Sequence, residues 1–288
     1  MAANGPHRPG SRTETAGRLV AAILGASLIA LFVLPLVALV AVAPAGAIGS
    51  AFSSAELWTA IGFTAYASLW ALGISLALGV PLGYLLARHA FPGKAVLHSL
   101  ITVPIVLPHL VVGLALLVLF APTTVFGRAA AWLGVPILNS IWGVVLVMVY
   151  VSAPYTVIAS ELAFRSVEPR LTEAARSLGA TPGQALRTVQ LPLASRGIVG
   201  GALLSWARSV SEVGGFLILA YFVYPSRVYP GPVTNPISVY IYNLYQISEP
   251  ASVAAAAVLV LVALGVFLVV RLLEQYGRVP WGRGGLAR

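Results

Sequence analysis

Two stretches of this chain, residues 19–55 and 57–87, contain no charged side chain. Each is longer than the about 20 apolar residues that a helix needs to cross a hydrocarbon core of ~30 Å. Water is absent at that depth, so every backbone N–H and C=O must be bonded within the protein, which a helix achieves segment by segment. The chain is therefore expected to be an all-α membrane protein. Composition agrees: of 288 residues 59% are hydrophobic and only 9% charged, where soluble domains carry about 25% charged.

Six crossings are expected. They fall at 19–43, within 57–87, and at 99–120, 137–160, 197–222 and 251–270. The second is expected to follow an interfacial lead-in and to end between Pro81 and Leu86. The fifth is interrupted by Arg208 and Glu212. Loop charge then sets the orientation, because cytoplasmic connections carry the excess of Lys and Arg. Fourteen basic residues, from Arg8 through Lys94, Arg165, Arg176 and Arg196 to Arg288, lie in connections on one side; only Arg128 and Arg227 lie on the other. Both termini are thus assigned to the cytoplasm. The apolar run near the start and the sequence APAGA at 43–47 mimic a signal peptide, but the run exceeds the usual ~7–15 residues of such a segment, so it is read as a retained span.

Several chemistries lack their residues. There is no Cys, no Asp and a single Lys, Lys94. A phosphate-cradling loop needs GxxxxGK followed by Ser or Thr, and Lys94 is followed by Ala95. His7, His89, His98 and His109 have no HExxH spacing, and zinc catalysis usually takes three protein ligands. The pI of about 10.3 does not make a nucleic-acid binder, since the basic residues are scattered between apolar spans rather than gathered on one face. The chain is expected not to be an enzyme and to hold no cofactor of its own.

Polarity concentrates at residues 161–196. Pro169 suits a first helical turn, and Leu171, Ala175 and Leu178 share one helical face. Gly179 stands where a helix C-cap glycine belongs. Thr181 and Pro182 restart a helix as N-cap and first residue, and Leu191-Pro192 closes it. An interfacial hairpin that only anchors the loop is one reading; a short helix whose small residues seat in a groove on a partner is the other.

Glu173-Ala174-Ala175, three residues, Gly179, nine residues, Val189, one residue, Leu191-Pro192 resembles the EAA motif of ABC transporter permeases, with Val189 in the place of isoleucine. Stretches 103–117 (VPIVLPHLVVGLALL), 151–171 (VSAPYTVIASELAFRSVEPRL) and 203–222 (LLSWARSVSEVGGFLILAYF) resemble the molybdate/tungstate branch, with Val213 for the usual Phe and Gly215 for the usual Ala. Ser211-Glu212 stands where the related sulfate pattern has GE. The resemblance covers 57–222; 223–250 matches less and reads as an enlarged external loop.

The resemblance implies a type I ABC importer permease fold in the cytoplasmic membrane. Its divisions would be a cytoplasmic tail at 1–18, a permease domain at 19–270 with a coupling loop at 161–196, and a basic cytoplasmic tail at 271–288. The implied partners are a second copy, an ATP-binding subunit that carries ATP and Mg²⁺, an extracytoplasmic oxyanion-binding protein and the bilayer, with no nucleic acid. Glu173, Ala174, Ala175, Gly179, Leu191 and Pro192 would meet the ATP-binding subunit. Sulfate or thiosulfate is the alternative cargo. A passive channel is the alternative class, but it has no reason to carry the EAA spacing.

Arg208 lies 12 residues beyond Arg196, about 18 Å along a straight helix. Glu212 follows at i+4, within pairing distance. An ionised residue at membrane depth marks a functional hypothesis. Arg208, Glu212 and His109 are therefore candidate pathway residues, set against a pair that only locks helices together and a histidine that packs beside Pro108. Ser205, Ser209 and Ser211 can bond across helices or line water. Gly200-Gly201 and Gly214-Gly215 can serve close packing or a hinge.

Overall fold

The structure, a computed structural model, describes residues 12–276. In chain order it contains α1 (Arg12–Val42), α2 (Ala45–Phe52), α3 (Ala55–Arg88), α4 (Lys94–Val106), α5 (His109–Phe120), α6 (Val125–Trp132) and α7 (Ile141–Arg165). Then follow α8 (Pro169–Ser177), α9 (Pro182–Ala185), one π-helical turn (Leu186–Gln190), α10 (Leu191–Val210), α11 (Gly214–Leu219), α12 (Ile237–Ile247) and α13 (Glu249–Tyr276). Among the described residues there is no named strand, and the single isolated bridge joins Val223 to Thr234. The tails expected at 1–18 and 271–288 lie partly outside the described residues; helix α1 already begins at Arg12, and α13 runs to Tyr276.

The chain divides into two compact units. One contains α1, α2 and α13. No residue of α1's apolar window is buried, as suits a helix that is greasy all round and faces lipid. The other unit, residues 54–243, is built on α7, whose Val144, Val147, Met148 and Val151 are almost wholly buried.

Small residues explain how closely the other helices approach α7. Buried positions on α3 include Ala60, Thr64, Ala67, Ala71, Ser75, Gly79 and Gly83, one stripe at three- and four-residue spacing. A Cβ at Gly83 would lie 2.6 Å from Cβ of Ser160 and 2.8 Å from the Val157 carbonyl oxygen. On α10, a Cβ at Gly201 would meet Cβ of Ala159 at 2.2 Å. Without water to drive association, such packing holds helices together in lipid.

Two expectations about spans need correction. Helix α3 is one continuous helix of 34 residues, about 51 Å long at 1.5 Å per residue, longer than one crossing needs, with Pro81 inside it. The segment at 99–120 is broken: α4 and α5 meet at 117°, with Leu107 and Pro108 both extended (ψ 136° and 135°). A residue before proline is pushed out of the α region, and Pro108 has no N–H to continue the ladder. The segment at 197–222 is also broken, between α10 and α11. Hence four helices are long and apolar enough to cross a membrane among the described residues, five if the bent pair counts as one span, against the six crossings expected from the sequence. The stretch at 223–250 is a loop only as far as Pro236, after which α12 begins.

Candidate functional site

The polar loop folds as two short helices joined by a locked turn. Pro169 opens α8. Gly179 takes φ +91°, and its N–H and that of Ala180 bond to the carbonyls of Arg176 and Ala175, each at 3.0 Å. This is the Schellman arrangement, which needs a left-handed residue at that point. Thr181 then caps α9: its Oγ1 accepts from the Gln184 N–H at 3.3 Å, while Gln184 Oε1 accepts from the Thr181 N–H at 2.8 Å. Gln184 is missing from the sequence reading, although the Thr-x-x-Gln spacing of a capping box was readable. The π-helical turn precedes Leu191-Pro192, where Pro192 cannot donate to the helix ladder.

Glu173, Ala174, Gly179 and Leu191 are exposed and Ala175 is half-buried. The face expected to carry Leu171, Ala175 and Leu178 is not covered as a unit. Leu171 is 46% and Leu178 90% exposed, whereas Thr172 and Ala175 turn partly inward. Glu173 has no hydrogen bond or ion pair among the described residues. Both features leave α8 as a preorganised helix with an unused outer surface.

The three candidate pathway residues, distant in sequence, form one cluster. Glu212 lies in the break between α10 and α11 and is fully buried. Its Oε2 is 2.8 Å from His109 Nδ1 and 3.2 Å from Arg208 Nη2. Nδ1–H donates to Glu212 Oε2, whereas Arg208 Nη2, 2.8 Å from Nε2 and 3.5 Å from Nδ1, lies over the imidazole face and not on the Nε2 lone pair. Glu212 Oε1 accepts from the Gly215 N–H at 2.8 Å, satisfying a donor that the start of α11 would leave bare. Its backbone carbonyl accepts from Ser238 Oγ at 2.6 Å.

Arg208 is not in mid-helix. It sits in the last turn of α10, where a cation complements the exposed carbonyls. His109 is the first residue of α5, so the cluster ties together two helix breaks. A Cβ at Gly214 would meet Cβ of His109 at 2.7 Å, so no larger residue fits there. The glycine pairs are thereby resolved: Gly201, Gly214 and Gly215 pack tightly, while Gly200 faces open space. Ser205 donates to the Ser152 carbonyl of α7 at 2.9 Å, an interhelical bond. The Ser209 and Ser211 hydroxyls bond back to carbonyls of their own segment.

A second cluster escaped the sequence reading. Glu161 is 3% exposed; its Oε1 accepts from Arg165 Nη2 at 2.6 Å and its Oε2 lies 3.2 Å from His98 Nε2. The i, i+4 spacing of Glu161 and Arg165 was visible. The approach of His98 from α4 depends on how α4 packs and was not.

Known proteins place the fold. Residues 79–277 match the family model described as "binding-protein-dependent transport system inner membrane component". The chain is 40% identical over 199 residues to the molybdate/tungstate transport system permease protein WtpB of Thermococcus kodakarensis, covering 69% of this chain and 71% of that one. It is 34% identical over 230 residues to the molybdenum transport system permease protein ModB of Escherichia coli, covering 79% and 96%. Among solved structures, a chain of a bacterial alginate ABC transporter in complex with its alginate pentasaccharide-bound periplasmic protein superposes with a TM-score of 0.64 at 22% identity, covering 91% and 95%.

Proposed function

This chain belongs to the family of binding-protein-dependent transport system inner membrane components, and on that premise we propose that it is the permease subunit of an ATP-driven oxyanion importer, with tungstate or molybdate as cargo. The observation that carries the reading is the loop at 161–196. A Schellman turn and a capping box fix its shape, yet Leu178 is 90% exposed and Glu173 has no hydrogen bond or ion pair among the described residues. A surface so rigidly presented suits a separate ATP-binding subunit, which would hold ATP and Mg²⁺. Glu173, Ala174, Ala175 and Gly179 would meet that subunit, with Leu191-Pro192 setting the start of α10 behind them.

In this reading two copies form the pathway, and both termini and the loop face the cytoplasm, as the fourteen-to-two charge bias requires. Closure of the ATP-binding subunits draws the two α8 helices together and turns the spans outward. An external binding protein then releases its oxyanion into the opened cavity, and hydrolysis restores the inward-facing state. No bond is made or broken by this polypeptide. In this reading His109, Arg208 and Glu212 clamp two broken helices beside the pathway, and His109, the most exposed of the three with 44% of its side chain accessible, would be the one to meet passing anions.

The decisive experiment reconstitutes the permease with its ATP-binding subunit and measures ATPase activity with binding protein loaded with tungstate, molybdate or sulfate. Stimulation by the tungstate- or molybdate-loaded protein is expected. Stimulation by sulfate alone overturns the cargo, and an ATP-binding subunit that fails to associate overturns the assignment as a permease subunit.

A further inference from the structure

A cleft of about 400 Å³ separates the end of α3 from the coupling loop. Its lining is polar where the other cavities are greasy, and it includes Arg88, Thr172, Glu173, Arg176 and Gln190. The volume is within the range of small-molecule sites and far above the ~30 Å³ share of one water.

Its polar groups are poorly satisfied by the protein. Three buried atoms on these residues have no hydrogen-bond partner: Arg88 Nε, Thr172 Oγ1 and Gln190 Oε1. Gln190 is only 5% exposed and lies on the π-helical turn, a distortion often found at functional sites. Unpartnered buried polar groups are few in folded proteins, and each is costly. Of the three, Arg88 Nε and Thr172 Oγ1 can donate to an anion, whereas Gln190 Oε1 only accepts, so Gln190 would meet an anion through its amide Nε2.

The charges say which kind. Arg88 Nη2 donates to the Val167 carbonyl at 3.1 Å, and no carboxylate pairs with Arg88 or Arg176 among the described residues. Arg88 is not needed to neutralise the carbonyl end of α3, because Lys94 Nζ already donates to the carbonyls of Leu86 and His89. Two guanidiniums, a hydroxyl and a carboxamide facing one cleft, against the single carboxylate of Glu173, leave a net positive site of planar forks that match paired oxygens.

We propose that this cleft binds a small tetrahedral oxyanion of the phosphate or sulfate type, held by Arg88, Arg176, Thr172 and the Gln190 carboxamide, the anion being either free or the headgroup of an anionic lipid. Because Arg88 belongs to α3 and Thr172 and Arg176 to α8, an occupant ties the coupling helix to α3. The site does not depend on which cargo the protein carries or on the ATP-binding subunit.

The test uses the full chain in phosphatidylcholine nanodiscs, titrated calorimetrically with inorganic phosphate and with sulfate. Saturable binding is expected, weakened about tenfold by Arg88→Gln and by Thr172→Val through loss of charge-assisted or hydroxyl bonds. Thr172→Val guards against misfolding: its hydroxyl has no hydrogen-bond partner in the protein, so the unliganded variant should melt no lower than the parent. Glu173→Gln should tighten binding about threefold by removing the like charge. If free anions do not bind but native mass spectrometry shows phosphatidylglycerol retained by the parent and lost from both weakened variants, the headgroup is the occupant. Absence of both kinds of binding, or binding unchanged in Arg88→Gln and Thr172→Val, overturns the proposal.

Discussion

Nδ1 of His109 lies 2.8 Å from Oε2 of Glu212, and this contact joins the start of α5 to the break that separates α10 from α11. The buried carboxylate serves three donors: His109 and Arg208 at Oε2 and the Gly215 N–H at Oε1. Removing one partner of a buried pair leaves the other uncompensated, typically at about 3–5 kcal/mol. Glu212→Gln is therefore expected to lower stability by about 3 kcal/mol in denaturant unfolding of the detergent-solubilised chain.

Exchanging the pair, with Arg208→Glu and Glu212→Arg together, restores neutrality but not the acceptor for Gly215 N–H. The double variant should stay well below the parent in stability and in transport. A swap as stable and as active as the parent would show that charge balance alone mattered.

The glycines of α3 offer a matched pair. At Gly83 a methyl group would press on the backbone of α7 at under 3 Å, while at Gly73 nothing lies within 4 Å. Gly83→Ala should destabilise by about 1–3 kcal/mol through overpacking, whereas Gly73→Ala should be neutral or stabilising by up to about 1 kcal/mol through helix propensity. Thermal melts of both, side by side, check the close approach of α3 to α7: Gly83→Ala should melt lower than the parent and Gly73→Ala should not.

At Gly179 the added methyl group also meets nothing within 4 Å, but the backbone stands at φ +91°. Gly179→Ala is expected to cost about 1–2 kcal/mol from the left-handed conformation alone. Thr181→Ala removes the cap at about 1 kcal/mol. Both should leave membrane insertion unchanged, while transport falls and the ATP-binding subunit co-purifies less well. Normal transport by both, and by Glu173→Gln, would refute the coupling role of the loop.

The bond from Ser205 to the Ser152 carbonyl is buried and interhelical. Such bonds average about 0.6 kcal/mol in membrane bundles, so Ser205→Ala should cost several-fold less than Glu212→Gln in the same unfolding assay.

Much of the protein was legible in its residues. Uncharged runs dictated membrane helices because unbonded backbone is costly in hydrocarbon. Gly179, Thr181 and Pro182 announced the turn, since few residues tolerate those backbone positions. The Arg208–Glu212 pair was readable from i, i+4 spacing.

The helix breaks were not readable, and prolines show why. Pro35, Pro81, Pro104 and Pro154 all lie inside helices, and Pro108 ends one. Local chemistry is the same at each, so the difference lies in what the neighbouring segment packs against. After Pro108 the chain turns so that Gly113 sits against Gly215, where a Cβ would lie 3.0 Å from the opposing Cα, and His109 reaches Glu212. Likewise the cleft beneath α8 draws Arg88 from one helix and Thr172, Arg176 and Gln190 from a loop far along the chain. Sequence alone determined that this chain lies in a membrane and where its loop turns, because those follow from local backbone and solvation energies. Only the tertiary structure decided which charges meet and which prolines bend the path, because those depend on contacts between segments that sequence order keeps apart.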